Sequence, residues 1–241
     1  MSHRPWDTPK RPWVMSMQWQ SLLFAHWAVK PAQLEPYIPK GLQLELYDGF
    51  AWLGVVPFQM RRTMPRGLFS LPAVSDFDEL NLRTYVTDGK KRGVWFFSLD
   101  CSNGLAVRAA RFGFHLPYMD AKMRVENRGE QLVYSSRRTH KHEPSANLEC
   151  LYQPTGAVYH STSGTFEHWL TERYCLYSAT SSGQVFRGEI DHQPWDLQPA
   201  AAEFSLNSMA EGIGIKLSGA PQTLHYAQQI SVKAWLLEPV N

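Results

Sequence analysis

Little in this chain of 241 residues points to crosslinks, membranes or nucleic acid. Cysteine is scarce: Cys101, Cys150 and Cys175 are odd in number, far apart and outside any CxxC spacing, which speaks against a disulfide framework and against a zinc site. Buried thiols in a reducing compartment are the better reading. Long apolar runs are missing, so no segment approaches membrane-spanning length, and the start, MSHRPWDTPKRPW, lacks the apolar stretch of a signal peptide. A soluble, cytoplasmic protein is expected. Excess charge is missing too: 24 Lys and Arg stand against 22 Asp and Glu, and the densest basic run, Lys90-Lys91-Arg92, falls in an expected turn, which argues against nucleic acid as the partner. No linker, internal repeat or low-complexity tract divides the chain. It is read as one domain over residues 13–241, preceded by a Pro-rich extended arm over residues 1–12 that Trp6 and Trp13 would pin down.

Aromatic residues, by contrast, are plentiful, with 9 Trp, 10 Tyr and 12 Phe, enough for a large core or an aromatic-lined cavity. The patterning is mainly β. From Trp13 to Val29, Met15, Met17 and Trp19 alternate with Val14, Ser16 and Gln18, a strand pattern on a run long enough for a helix as well. Lys30-Pro31 opens a short helix. Leu42 to Met60 predicts a hairpin turning at Asp48-Gly49, a pair that accepts the positive φ of a type I′ turn, and residues 61–76, with Pro65, Gly67 and Pro72, predict a loop. Further on come a hairpin over Met123–Thr139, a strand at Leu148–Tyr152, and an amphipathic helix at Gly164–Arg173. A hairpin of Tyr174–Thr180 with Gln184–His192 follows, then a strand at Ala201–Leu206, a short helix capped by Asn207 and running through Ala210, and a closing strand at Gln229–Leu237. Ten or more strands with two or three short helices predict a mainly β (α+β) barrel or strongly curved sheet.

The densest polar set within apolar sequence is FDELNLRTYVTDGKKRGVWFFSLD, Phe77 to Asp100, which predicts two strands and a turn. Period-two geometry puts Glu79, Asn81, Arg83 and Tyr85 on one face and Leu80, Leu82, Thr84 and Val86 on the other. The partner strand is apolar on both faces up to Ser98, which suggests cover on both sides, and a polar row inside such a sheet needs partners or a ligand. Arg108 and Arg111 lie one helical turn apart and suit either an anion or surface acids. On a strand, His140 and His142 would share a face as metal ligands do, but no third ligand follows at a sensible spacing, so neither a metal nor another cofactor is assigned. His26 and His192, each among aromatics, read either as core residues or as ligand contacts. Trp195 belongs to the rigid corner HQPW, and Arg173 and Tyr174, at a helix-to-strand junction, either reach a barrel mouth or cap the helix.

Taken together, LLFAHWAV, DGFAWLGVVPFQM, FDELNLRTYV, GVWFFSLD, VRAAR, LPYMDAKM, LTERYCLY and HQPWDLQ resemble, in order and across nearly the whole chain, the YqjF-like family, a bacterial domain of unknown function. That family is grouped with the acetoacetate decarboxylase-like superfamily, which implies a curved antiparallel β-barrel around a buried pocket. The decarboxylase branch works through a Schiff-base lysine placed directly after a proline, with a glutamate and an arginine beside it. Glu79 matches the glutamate. Leu116-Pro117-Tyr118 has Tyr118 where the lysine should stand, and the nearby Lys122 is four residues too late, so Schiff-base decarboxylation is not expected. Three hypotheses result. One is an enzyme, lyase-like or hydrolase-like, in which Arg83 binds the anion of a small acidic or carbonyl compound, Glu79 acts as acid or base and Tyr118 donates to an oxyanion. Another is a non-catalytic small-molecule binder, with His26, Asn81, Tyr85, Arg173, Tyr174, His192 and Trp195 as ligand contacts. The third is a buried ion-pair network of Glu79, Asn81 and Arg83 that only holds strand register. A small-molecule ligand is the expected partner, with self-association left open.

Overall fold

Alternating and then continuously apolar sequence forms the first strand, β1 (Met15–Val29), which is buried over most of its second half. The structure is a computed structural model that describes residues 3–70 and 72–240; Met1 and Ser2 of the expected arm, Leu71 of the expected loop and the C-terminal Asn241 lie outside them. The remaining strands in the first half are β2 (Gln43–Leu44), β3 (Ala51–Pro65), β4 (Phe77–Thr87), β5 (Arg92–Cys101) and β6 (Tyr118–Arg128). The second half adds β7 (Gln131–Arg138), β8 (Asn147–Pro154), β9 (Cys175–Ala179), β10 (Val185–Asp191), β11 (Leu197–Asn207), β12 (Thr223–Ala234) and β13 (Glu238–Pro239). Four short helices, α1 (Pro31–Leu34), α2 (Pro72–Ser75), α3 (Gly104–Phe114) and α4 (Phe166–Thr171), sit between them. None of the helices of the described residues is long and apolar enough to cross a membrane.

The strands close on themselves twice. One circuit runs β5-β6-β7-β8-β11-β12-β1-β3-β4 and returns to β5, a nine-stranded barrel. A second runs β5-β9-β10-β12-β1-β3-β4, closed by the β10–β12 pairing of Ile190 with Ala234 and Asp191 with Lys233. All pairings are antiparallel except β5 with β6 and β5 with β9. Both circuits share β12, β1, β3, β4 and β5, so these strands are walls with an interior on each side, and alternate residues serve different cores. Leu23, Ala25, Leu53, Val55, Leu80 and Leu82 face the nine-stranded barrel, which Tyr134, Leu148, Tyr152 and Tyr226 fill. Leu22, Phe24, Val56, Phe58 and Met60 face the smaller circuit.

Bulges set which residue goes where. Ser21 has φ 54°, and the β1–β3 register slips by one between Gln20 and Ala25. Met15, Met17 and Trp19 therefore share a side with the even-numbered Leu22 and Phe24. Tyr152 Oη reaches across to donate to the Ser21 carbonyl at 2.8 Å, satisfying a backbone acceptor at the irregularity. A second slip on β5, between the Leu82–Ser98 and Arg83–Phe96 pairs, brings Val94, Phe96 and Leu99 to one cavity.

Several sequence expectations change. Asp48 (φ 50°) and Gly49 (φ 78°) make the left-handed turn as expected, but no Leu42–Met60 hairpin forms: β2 pairs with β4, Gln43 with Thr87, while β3 pairs with β1 and β4. A turn specifies a local reversal and not which strand wins the partner. The expected 61–76 loop begins later, because β3 runs on to Pro65 against the start of β1. The Gly164–Arg173 helix is shorter, capped by Thr165 and ending at Thr171. Asn207 accepts from the Met209 N–H but starts no helix through Ala210; a 3-10 turn follows at Glu211–Ile213. The closing strand starts earlier, at Thr223, and ends at Ala234.

Residues 3–12 form no helix or strand, and Arg4 and Trp6 anchor them. Arg4, buried, pairs with Glu189 at 3.2 Å and Asp191 at 3.0 Å on β10, and Trp6 Nε1 donates to Glu189 at 2.8 Å.

Candidate functional site

The polar row expected on β4 opens into a cavity of about 120 Å³ inside the smaller circuit, lined by Glu79, Asn81 and Arg83 with Tyr118, Arg173 and His192. Its remaining wall is mainly apolar, with Met15, Met17, Trp19, Phe24, Phe58 and Trp195 among the contributors, and also holds Thr171, Cys175 and Glu189, whose carboxylate is paired with Arg4 and Lys91. β4 is buried on both faces, so the period-two rule that put Leu80 and Leu82 into the nine-stranded core had to put these polar groups into the other interior.

At one end, Glu79 is 2% exposed and accepts a hydrogen bond from Tyr118 Oη at 2.9 Å. Burial pushes its carboxyl up to about 8, against the opposing pull of hydrogen bonds from Tyr118 and Asn81. Glu79 is thus mainly a neutral acid at pH 7, able to donate as well as accept. The same burial, reinforced by Glu79, raises Tyr118 well above the ordinary phenol range, so it remains a donor. Asn81 Oδ1 is buried without a hydrogen-bond partner.

At the other end, Arg83 is 9% exposed, and no acidic side chain among the described residues pairs with it. Its guanidinium lies over the Phe24 ring at 5.3 Å and donates weakly to Tyr85 Oη at 3.5 Å, and its Nε is buried and unpartnered. The expected Glu79–Arg83 ion pair is therefore absent: two side chains four residues apart on an extended strand are separated by about 13 Å of backbone. Gly54, opposite Arg83 on β3, makes the space, since a Cβ there would meet His26 Nε2 at 3.0 Å and Arg83 Cγ at 3.3 Å. His26 bonds Tyr85 Oη through Nε2 at 2.6 Å, and burial, then the charge of Arg83, hold it well below the usual histidine range, hence neutral.

The other sequence candidates divide. Arg173, His192 and Trp195 line the cavity; His192 Nδ1 lies 2.7 Å from Gln193 O and Nε2 3.2 Å from Arg173 O, a neutral ring donating to one of the two, and Trp195 Nε1 donates to Thr171 O at 2.9 Å. His26 and Tyr85 stand just behind Arg83 as its hydrogen-bonded backing. Tyr174 does not line the cavity: its ring is stacked on His192 and lies under Arg4, and its hydroxyl bonds Glu172. Lys122 is exposed on β6, opposite Arg137, and no lysine among the described residues lines the cavity. Cys175 lines it, but burial pushes its thiol up to about 12. Arg108 pairs with Asp120, and Arg111 donates to Tyr118 O at 2.8 Å, so neither is free for an anion. His140 lies beyond the end of β7 on Asp120, and His142 has φ 66°, so the two do not share a strand face. Among the described residues no three His, Cys, Asp or Glu side chains gather as a metal would require.

Sequence reading missed Glu45, which holds Arg173 at the cavity edge. Its signal, an acid alternating with leucines in LQLELY, is that of any half-exposed strand. The cavity methionines were visible as an alternation at Met15 and Met17, though nothing local tied them to β4.

A barrel closed through shared strands, with a polar-floored cavity in the smaller circuit, defines the class: the acetoacetate decarboxylase-like fold. Solved structures agree. An acetoacetate decarboxylase-like enzyme from Sphingomonas wittichii RW1 superposes with a TM-score of 0.64 at 13% identity, covering 100% of this chain and 99% of that one. The enduracididine biosynthesis enzyme MppR complexed with pyruvate gives 0.63 at 10%, covering 96% and 91%. Acetoacetate decarboxylase from Legionella pneumophila gives 0.62 at 12%, covering 100% and 92%. At such identities the likeness is one of fold alone. In sequence, residues 16–231 match DUF2071, the uncharacterized conserved protein family. The chain is also 40% identical over 231 residues to the uncharacterized protein YqjF of Bacillus subtilis (strain 168), covering 96% of this chain and 94% of that protein. It belongs to the DUF2071, YqjF-like family.

Proposed function

We propose that the cavity binds a small organic acid, with Arg83 receiving the carboxylate and the Glu79–Tyr118–Asn81 end handling a carbonyl or hydroxyl of the same molecule. The observation that carries this is Arg83 itself: a buried guanidinium without an acidic partner among the described residues. A lone buried charge costs several kcal/mol unless something compensates it, and an anionic ligand does so. The pyruvate bound by the structural neighbour MppR is of this chemical class. If a reaction follows, it is acid–base chemistry: neutral Glu79 protonates or hydrogen-bonds a carbonyl oxygen, and Tyr118 supplies a second donor. Schiff-base chemistry has no lysine among the described lining residues to run on.

Thermal-shift titration with pyruvate and other small 2-oxo acids tests the reading, because a ligand that binds only the native state must raise apparent stability. Stabilisation by the acids and its loss in a folded Arg83→Met variant are expected; equal stabilisation of wild type and Arg83→Met would sink the assignment. Turnover followed by NMR then separates enzyme from binder, with Glu79→Gln expected to keep binding and lose turnover if there is chemistry.

A further inference from the structure

A second guanidinium narrows which organic acid fits, given the reading above. Arg173 is 5% exposed at the junction of α4 and β9. Its Nε donates to Trp169 O at 2.7 Å and its Nη1 pairs with Glu45, while Nη2 is buried without a hydrogen-bond partner. Arg83 and Arg173 lie over the same Tyr85 ring, 5.8 and 4.7 Å from its centroid, so both charges converge on one end of the cavity. Glu45 pairs with Arg173 and also with Arg92 Nε at 3.0 Å, so its single negative charge leaves Arg83 uncompensated. That end therefore holds surplus positive charge and two unused donors, Arg83 Nε and Arg173 Nη2. Arg173 also lines an open outer groove with Lys90 and Arg92, which gives an anion a favourable approach.

The rest of the wall selects against a wholly polar ligand. Met15, Met17, Trp19, Phe58, Met60 and Phe96 surround the volume, and thioethers reshape around apolar bodies. The space is slightly less than the roughly 150 Å³ that accommodates benzene in an engineered apolar cavity. Arg83 and Arg173 are the lysine or arginine side chains among the described lining residues, so a second carboxylate would find no cation.

We propose that the ligand is a monocarboxylic acid with a short branched aliphatic body smaller than a benzene ring, its carboxylate bridging Arg83 Nε and Arg173 Nη2 and its body packed on the methionine and aromatic wall. Calorimetric titration of the full chain with 3-methylbutanoate, its amide, pyruvate and succinate tests this. The expected order places 3-methylbutanoate at least about tenfold above both its amide and pyruvate, a buried methylene alone being worth about fourfold, with succinate weakest. Arg173→Lys keeps a cation for Glu45 but loses the free N–H of the fork, so the acid-over-amide ratio should fall severalfold, in protein verified as folded by its circular dichroism melt. Pyruvate binding as tightly as 3-methylbutanoate, or succinate binding better, overturns the apolar monocarboxylate and leaves the organic-acid reading standing. An unchanged ratio in folded Arg173→Lys overturns the bridge. Wild type that binds the amide as well as the acid, or binds no acid, overturns this proposal and the reading beneath it.

Discussion

The two interiors that share β1, β3 and β4 are built to opposite rules. The nine-stranded barrel is filled: Leu80 and Leu82 meet Tyr134, Leu148 and Tyr152, and its tyrosine hydroxyls are spent, Tyr134 on Glu79 O and Tyr152 on Ser21 O, both at 2.8 Å, and Tyr226 on Gln228 Oε1 at 2.7 Å. The smaller circuit holds a cavity with buried polar atoms left over on Asn81, Arg83 and Arg173. A satisfied interior contributes stability, whereas an unsatisfied one gives stability up and suits a ligand. Neighbouring residues on one strand fall on opposite sides of that divide.

Mutations on β4 can break the contrast. Leu80→Ala, on the filled side, should lower unfolding stability by about 2–5 kcal/mol in urea denaturation, through lost burial and a cavity that dense packing cannot close. Its neighbour Glu79 should do the reverse. Because its native carboxyl titrates near 8 against 4.5 ordinarily, the unfolded chain releases a proton that the native state keeps, so stability falls as pH rises from about 4.5 to about 8 and levels off beyond. Glu79→Gln should remove that slope and at pH 8 gain on the order of a few kcal/mol over wild type; an identical pH profile in the variant would contradict the cavity's electrostatics.

A smaller gain, about 1–3 kcal/mol, is expected from Arg83→Met, which replaces an uncompensated buried charge by a side chain matching the apolar wall. Loss of stability of that size instead would mean that the guanidinium's cover by Phe24 and Tyr85 outweighs its desolvation. Tyr118→Phe should cost least, about 0.5–1.5 kcal/mol for one hydrogen bond to Glu79, and should raise the Glu79 titration further by removing a donor to the carboxylate. A downward shift, read by NMR titration, would show that Tyr118 does not hold Glu79.

Much of this was legible along the chain. The polar row on β4, the apolar cover of β5, the α4 helix and the hairpin of β9 and β10 follow from periodicity and turn residues, which act over a few residues. So did the two ends of the site, since Glu79, Asn81 and Arg83 share a face in any strand. Partners at long range were not legible. LQLELYDGF carries the turn signal of a hairpin, yet β2 pairs with β4 because β3 is taken up by β1 and β4. Tyr174 and Arg173 are adjacent, and which one meets the cavity depends on Glu45, 128 positions away in sequence from Arg173.

By itself the sequence determined a mainly β chain with one strand polar on a single face, because side-chain alternation is a property of the extended backbone. Only the tertiary structure decided that there are two interiors, and which of them that face meets. The bulges at Ser21 and on β5 reverse the parity of their strands, closure through β10 and β12 creates the second circuit, and Arg173 arrives beside Arg83 from another part of the chain. Registers and closures of this kind are settled by the packing of both faces at once, which no local pattern encodes.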